Sequence, residues 1–242
     1  MRSLRGFLVV LFFWYALALL VSGPIIPYPH VVFAHLLASM IEAKNHLHLL
    51  FSFYRILMGT VVALLFAIPS GLAIGRVKRL DRVLSPTLYL LYPLPKIAFL
   101  PVFMVLFGIG DLSKIILIAV IIFFPATLTI RDGVKQIPFQ YLELAQAYHL
   151  TFRQVLTDII WPSILPRIFS SLRITVGISL SVLFVSETYA STYGLGYTIM
   201  NNWVMANYVG MYGGIVLLSL LGLLLYIVID KVEQLVIPAQ AK

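Results

Sequence analysis

The sequence predicts an all-α integral membrane protein, a single bundle of about six transmembrane helices, and three observations predict it. Hydrophobic residues make up 61% of the 242 residues. Charged residues make up 11%, against roughly 25% in a soluble domain. The apolar residues also gather in runs close to the ~20 residues that a helix needs to cross a bilayer. One soluble core would still need a polar surface, so this much apolar side chain calls for lipid around it.

Residues 7–23 form the first candidate span. Arg2 and Arg5 ahead of it give the chain the look of a secretory signal, but no small-x-small cleavage pattern follows. Pro24-Ile-Ile-Pro27-Tyr-Pro29 reads as an ordered turn, so an uncleaved first span is expected. Residues 49–75 form the second, free of charge from Ile56 onward. Residues 84–108 form a third, interrupted by Pro93, Lys96 and Pro101. Residues 115–130, 162–186 and 211–229 complete the set, the fifth with Arg167 and Arg173 near its beginning. No internal repeat or separate soluble domain is visible, so residues 1–242 read as one membrane domain.

Positive charge sets the orientation. With the N-terminus inside, the inner segments hold 13 of the Lys and Arg residues and the outer side holds Lys44, Arg55 and Lys114, while Lys96 lies within a span. Loops rich in Lys and Arg stay on the cytoplasmic side, which places both termini in the cytoplasm. The same count explains the net charge of +8 without nucleic acid, since no basic stripe with stacking aromatics appears between the apolar runs.

Two segments between spans have their own pattern. In 28–43, Val31, Val32, His35, Leu36, Ser39 and Met40 recur at helical spacing, as in a helix lying along the outer interface. Residues 137–160 mix polar and apolar side chains too evenly to span. Tyr141, Leu144, Ala145 and Tyr148 predict a short helix, followed by a break and a second helix begun by Pro162, where the missing N–H costs nothing. The small Ala145 and Ala147, beside the acid Glu143, would lie exposed and let another protein approach closely.

At this segment the chain resembles a known family. Glu143-Leu-Ala145-Gln-Ala147-Tyr-His149-Leu150, followed by Ile160, Pro162 and Pro166, is similar to the cytoplasmic signature of binding-protein-dependent ABC importer permeases. Leu94-Pro95-Lys96-Ile-Ala98-Phe-Leu-Pro101, then Phe107-Gly108-Ile-Gly110, and Glu187-Thr188 ahead of Gly194-Leu-Gly196-Tyr197, resemble its nitrate, sulfonate and taurine branch. The resemblance covers essentially the whole chain. It implies a type I importer permease fold with a cytoplasmic coupling helix over about 138–150, in which Glu143, Leu144, Ala145, Ala147, Tyr148, His149 and Leu150 meet the ATPase. His149 stands where the family usually has glycine. A left-handed helix end suits that position, and His tolerates it better than most residues.

The resemblance further implies partners: two ATP-binding cassette ATPase subunits, an external solute-binding protein and a second copy of the chain, in the inner (cytoplasmic) membrane. It implies a small-anion substrate such as a sulfonate, taurine, nitrate or bicarbonate; thiamine-precursor pyrimidines, riboflavin and aromatic acids belong to the same branch. Candidate path residues are Pro95, Lys96, Pro101 and Glu187. Proline interrupts a helix and frees carbonyls that need protein or water, and charges at membrane depth face protein or a wet cavity. Each has a plainer rival: a packing kink for the prolines, snorkelling for Lys96, and for Glu187 either a gate or packing role or simple exposure at the outer interface.

No catalytic residue, metal site or cofactor is expected. The sequence holds no cysteine and no G-x-x-x-x-G-K-[ST] phosphate loop, so ATP chemistry would belong to a partner. His30, His35, His46 and His48 match no compact ligand spacing. A self-sufficient secondary transporter would carry inverted repeats and paired ionisable groups at midplane. A membrane enzyme would need a clustered nucleophile, base or metal set. Neither is evident.

Overall fold

The computed structural model describes residues 2–21 and 23–237, and among them it is built of helices and turns. In chain order these are α1 (Arg2–Val21), α2 (Pro29–Ser39), α3 (Ala43–Arg76) and α4 (Lys78–Leu91), then a 3₁₀ turn (Lys96–Phe99) and α5 (Leu100–Phe107). They continue with α6 (Asp111–Lys135), α7 (Phe139–Ala147), α8 (Phe152–Gln154), a π turn (Val155–Ile160), α9 (Trp161–Thr188), α10 (Leu195–Val204) and α11 (Tyr208–Val236).

Among the described residues, four helical stretches are long and apolar enough to cross a membrane: Lys44–Arg76, Asp111–Lys135, Phe152–Thr188 and Tyr208–Val236. Lys78–Leu91 and Lys96–Phe107 make a fifth if the bent pair is counted as one span. Arg5–Val21 is apolar but shorter, so the count of six is approximate. The chain is a multi-pass membrane protein. Its apolar side chains face outward, as on α1, where Phe12 is 69% and Leu20 80% exposed.

The third expected span differs most. Its two halves are bent by 85°, far beyond a proline kink. Pro93 and Pro95 stand together between the halves, and each removes a donor and clashes with the turn before it. The fifth also differs. Pro162 does not begin a helix; it lies inside one stretch running from Phe152 to Thr188. The π turn absorbs the proline: the Trp161 N–H reaches back to the Leu156 carbonyl, and Ser163 Oγ donates to the Ile159 carbonyl at 2.6 Å. The wider turn makes room for the ring where a regular helix would clash.

The chain divides into two compact units, with the dividing points inside α3, α9 and α11. Residues 1–54 and 184–221 form one, and residues 55–183 and 222–242 the other. In the larger unit α3 and α6 pack through a stripe of small residues. Gly59, Ala63, Ala67, Gly71 and Gly75 recur every four positions on α3. A Cβ on Gly59 would fall 2.6 Å from Ile118 Cγ2, one on Gly71 2.7 Å from Ile130 Cβ, and one on Gly75 2.7 Å from Val134 Cβ. Each of these pairs is separated by 59 residues, so the two helices run parallel and in step. Small residues of this kind let backbones approach where no hydrophobic force drives association.

In the smaller unit Trp14 stacks on Tyr212 with centroids 5.7 Å apart and donates through Nε1 to the Pro27 carbonyl at 3.1 Å. That contact fixes the turn predicted at residues 24–29.

Candidate functional site

Three groups of the predicted residues occupy three places. The first is the bend between α4 and α5. The C-terminus of α4 leaves carbonyls without helical partners, and Lys96 supplies one: its Nζ donates to the Tyr92 carbonyl at 2.6 Å and the Leu91 carbonyl at 3.1 Å. A cation at a helix C-terminus also meets the negative end of the helix dipole. The ammonium lies 4.5 Å from the Phe124 ring centroid and 5.5 Å from that of Tyr92, positions where ring faces attract a cation. The Lys96 ammonium is thus held by backbone carbonyls and ring faces of its own chain. Lys96 borders a cavity of about 340 Å³ lined also by Tyr92, Leu94, Ile97, Ile121, Pro125, Ile178 and Val182. Pro95 and Pro101 are both exposed, and Pro95 precedes the 3₁₀ turn while Pro101 sits in the first turn of α5.

Glu187 is elsewhere, in the smaller unit, fully buried near the end of α9. Ser52 Oγ of α3 bonds both of its oxygens and in turn accepts from the Leu195 N–H at 2.8 Å. The Gly196 N–H donates to Oε2 at 2.8 Å. The carboxylate thus sits at the N-terminus of α10, where unpaired N–H groups and the dipole favour negative charge. Gly194, with φ +137°, turns the chain into that helix; a Cβ there would fall 2.5 Å from the carboxylate. Its N–H donates to His48 Nδ1 at 3.1 Å, and His48 stacks on Tyr197. His30 instead bonds Tyr15 at 2.9 Å, so these two histidines serve separate contacts.

The third place is the segment about α7. The helix ends at Ala147, and His149 adopts the expected left-handed conformation with φ 52°. The N–H groups of Tyr148, His149 and Leu150 close the end onto the carbonyls of Leu144, Gln146 and Ala145. Thr151 then starts α8 with a capping box: Thr151 N–H donates to Gln154 Oε1 at 2.8 Å, and the Gln154 N–H returns to Thr151 Oγ1. Glu143, Leu144, Ala147, Tyr148 and His149 are exposed, and Leu150 is half-buried. Ala145 corrects the sequence reading: it is 4% exposed, in a helix that packs against the chain's own π turn. Its small size serves packing within the chain. Around Glu143 the exposed surface is aromatic and apolar, with Phe139, Tyr141, Leu144, Tyr148 and Phe152 each more than half exposed.

Sequence reasoning missed two further groups. Arg55, counted above as an outer charge, is buried in α3 and pairs with Asp111, Nη2 to Oδ1 2.6 Å. Asp81 of α4 accepts from Arg131 Nε at 2.8 Å and from Lys135 on α6, with Ser85 joining at 2.6 Å. These pairings span 50 residues of chain or more, and no local pattern announces them.

The described residues thus form a helical membrane bundle with a broken span, a lysine at the break and a short helix between spans closed at a left-handed end. Residues 59–238 match the family described as the inner membrane component of binding-protein-dependent transport systems, and the chain belongs to that family: an ABC importer permease. It is 34% identical over 206 residues to the taurine transport system permease protein of Escherichia coli, covering 82% of this chain and 75% of that one. The putative aliphatic sulfonates transport permease protein of Bacillus subtilis is 28% identical, covering 84% and 73%. The formylaminopyrimidine transport permease protein of Halalkalibacterium halodurans is 29% identical, covering 98% and 94%. Among solved structures, an inward-facing form of the MetNI methionine ABC transporter matches with a TM-score of 0.67 and 19% identity, over 81% of this chain and 100% of that one; this likeness is one of fold.

Proposed function

We propose that the chain, residues 1–242 acting as one permease domain, works as a homodimer with two ATP-binding cassette subunits and an external binding protein, and moves a small anion inward. The observation that carries the substrate class is Lys96, an ammonium placed beside a 340 Å³ cavity at the break of a span. A charge at membrane depth marks a functional path by default, and freed carbonyls at a break are tolerated where they meet protein or a wet cavity. The names of the taurine and sulfonate relatives agree with a sulfonate-class anion.

The segment about α7 is the coupling helix in this reading. Its exposed aromatic residues and Glu143 would seat in a groove of the ATPase, so that ATP-driven closure of the ATPases reorients the path between two permeases. Both termini face the cytoplasm, as the 13-to-three distribution of Lys and Arg favours.

A second reading has its own support. The pyrimidine permease relative aligns along 98% of this chain, and Tyr92 on the cavity wall would stack on a heterocycle. Uptake by the reconstituted importer with its binding protein separates them. Labelled taurine taken up, with methanesulfonate competing, supports the anion; uptake of formylaminopyrimidine alone removes it.

A further inference from the structure

The cavity at Lys96 has a neighbour. A second cavity of about 410 Å³ is lined by Thr129 of α6 and by Pro166, Arg167, Ser170, Ser171 and Ile174 of α9. On α6, Ile121 and Pro125 line the first cavity and Thr129 the second; steps of four place them on one face. On α9, Val182 and Ile178 line the first, and Ile174, Ser170 and Arg167 the second, again at helical spacing. Residue numbers rise along α6 as they fall along α9, so the cavities follow one another along a single seam between antiparallel helices. From Arg167 to Val182 the seam is about 22 Å long at 1.5 Å per residue.

Arg167 differs from the other arginines of these two helices. Arg131 pairs with Asp81 and Asp132, and Arg173 with Glu233 and Asp230. Among the described residues Arg167 has no carboxylate at ion-pair distance. Its stem crosses Gly133, the next step of the same α6 stripe, where a Cβ would fall 2.9 Å from its Cδ. A planar guanidinium offers paired donors that match two oxygens of an oxyanion, and the hydroxyls of Thr129, Ser170 and Ser171 add further donors.

We propose that Arg167, with Thr129, Ser170 and Ser171, forms a second anion-binding station, distinct from Lys96 and at the far end of the same seam. It takes a small oxyanion of the sulfonate, nitrate or carboxylate class. The proposal rests on the reading of the chain as an anion permease. Two stations of unlike chemistry, one ammonium among apolar walls and one guanidinium among hydroxyls, let an anion be passed along the seam without either site holding it too tightly to release.

The sequence holds no cysteine, so Thr129→Cys places a lone thiol in the second cavity. In the nucleotide-free intact importer in nanodiscs, its rates of modification by anionic sulfonatoethyl methanethiosulfonate and by the cationic trimethylammonioethyl reagent are compared. Arg167→Gln should lower the anion-to-cation rate ratio by about tenfold, because the two reagents differ in sign beside one fixed charge. Gly133→Ala, by displacing the arginine stem, should lower it less. Methanesulfonate should slow the anionic reagent with Arg167 present and not with Arg167→Gln. A ratio unchanged by Arg167→Gln, or a thiol that neither reagent reaches, overturns the station; Ser170→Cys repeats the measurement where Thr129→Cys does not assemble. An unchanged ratio while Lys96→Met still impairs uptake removes the second station alone. A fallen ratio in an importer that moves only neutral solutes keeps the anion station and removes the anion-permease reading.

Discussion

Ser52 Oγ stands 2.9 Å from one carboxylate oxygen of Glu187 and 2.8 Å from the other, across 135 residues of chain. The same hydroxyl accepts from the Leu195 N–H, so one atom ties α3, α9 and the start of α10 together inside the smaller unit. A buried carboxylate is tolerated only when its oxygens are hydrogen-bonded, and here backbone and side chain share that task.

Removing the hydroxyl leaves the Leu195 N–H unpaired and the carboxylate short of a donor. Ser52→Ala should therefore cost about 1–3 kcal/mol, read as a lowered unfolding temperature of the detergent-solubilised chain. Gly194→Ala should cost more, since its Cβ would strike the carboxylate and its φ is one that side chains rarely adopt. Equal unfolding temperatures for Ser52→Ala and the natural chain would mean that the bond contributes nothing.

The burial of Ala145 changes how coupling is best probed. Ala145→Trp should unseat α7 from its own chain and lower stability, whereas Ala147→Trp and Glu143→Arg alter an exposed surface. These two should leave membrane insertion intact while copurification with the ATPase and substrate-stimulated hydrolysis fall together, several-fold or more. Asp158→Asn, beyond the turn, should do much less. Wild-type assembly and turnover in both exposed variants would make this segment an ordinary connection.

Lys96 has two tasks, capping the Leu91 and Tyr92 carbonyls and presenting charge to the cavity. Lys96→Met removes both, and should lower uptake of labelled taurine by the reconstituted importer several-fold, chiefly by raising KM. Lys96→Arg keeps the charge and should restore much of the uptake. Should Lys96→Met leave uptake unchanged, the ammonium serves only as a cap.

Topology can be read with single thiols. Cysteine at exposed Arg79 or Gln136 should be shielded from an impermeant external reagent in sealed cells, and cysteine at Met205, 68% exposed, should react. The reverse pattern would invert the orientation.

Local features of this fold are legible in the sequence because their causes are local. Apolar runs gave the long helices, the prolines at 93 and 95 marked the break, and the left-handed turn at His149 follows from its place after a helix end. Gly59, Gly71 and Gly75 line the contact between α3 and α6, but nothing local in the sequence names their partners. What escaped depends on which distant residues meet. Arg55 finds Asp111, and Ser52 finds Glu187, through tertiary placement that no spacing encodes. Pro162 misled for another reason: proline usually stops or starts a helix, and here a π turn lets one continue through it.

The parallel stripe between α3 and α6 has a mechanical consequence. Ile118, Ile130 and Val134 each occupy a notch left by a missing side chain, so sliding one helix along the other would drive every branched side chain over the rim of its notch at once. The next matching notch lies four residues away, about 6 Å along the axis. These helices must then travel together as a rigid strut, and any rearrangement in the larger unit has to be taken up by its compliant joints, the sharp bend at Pro93–Pro95 and the widened turn before Pro162.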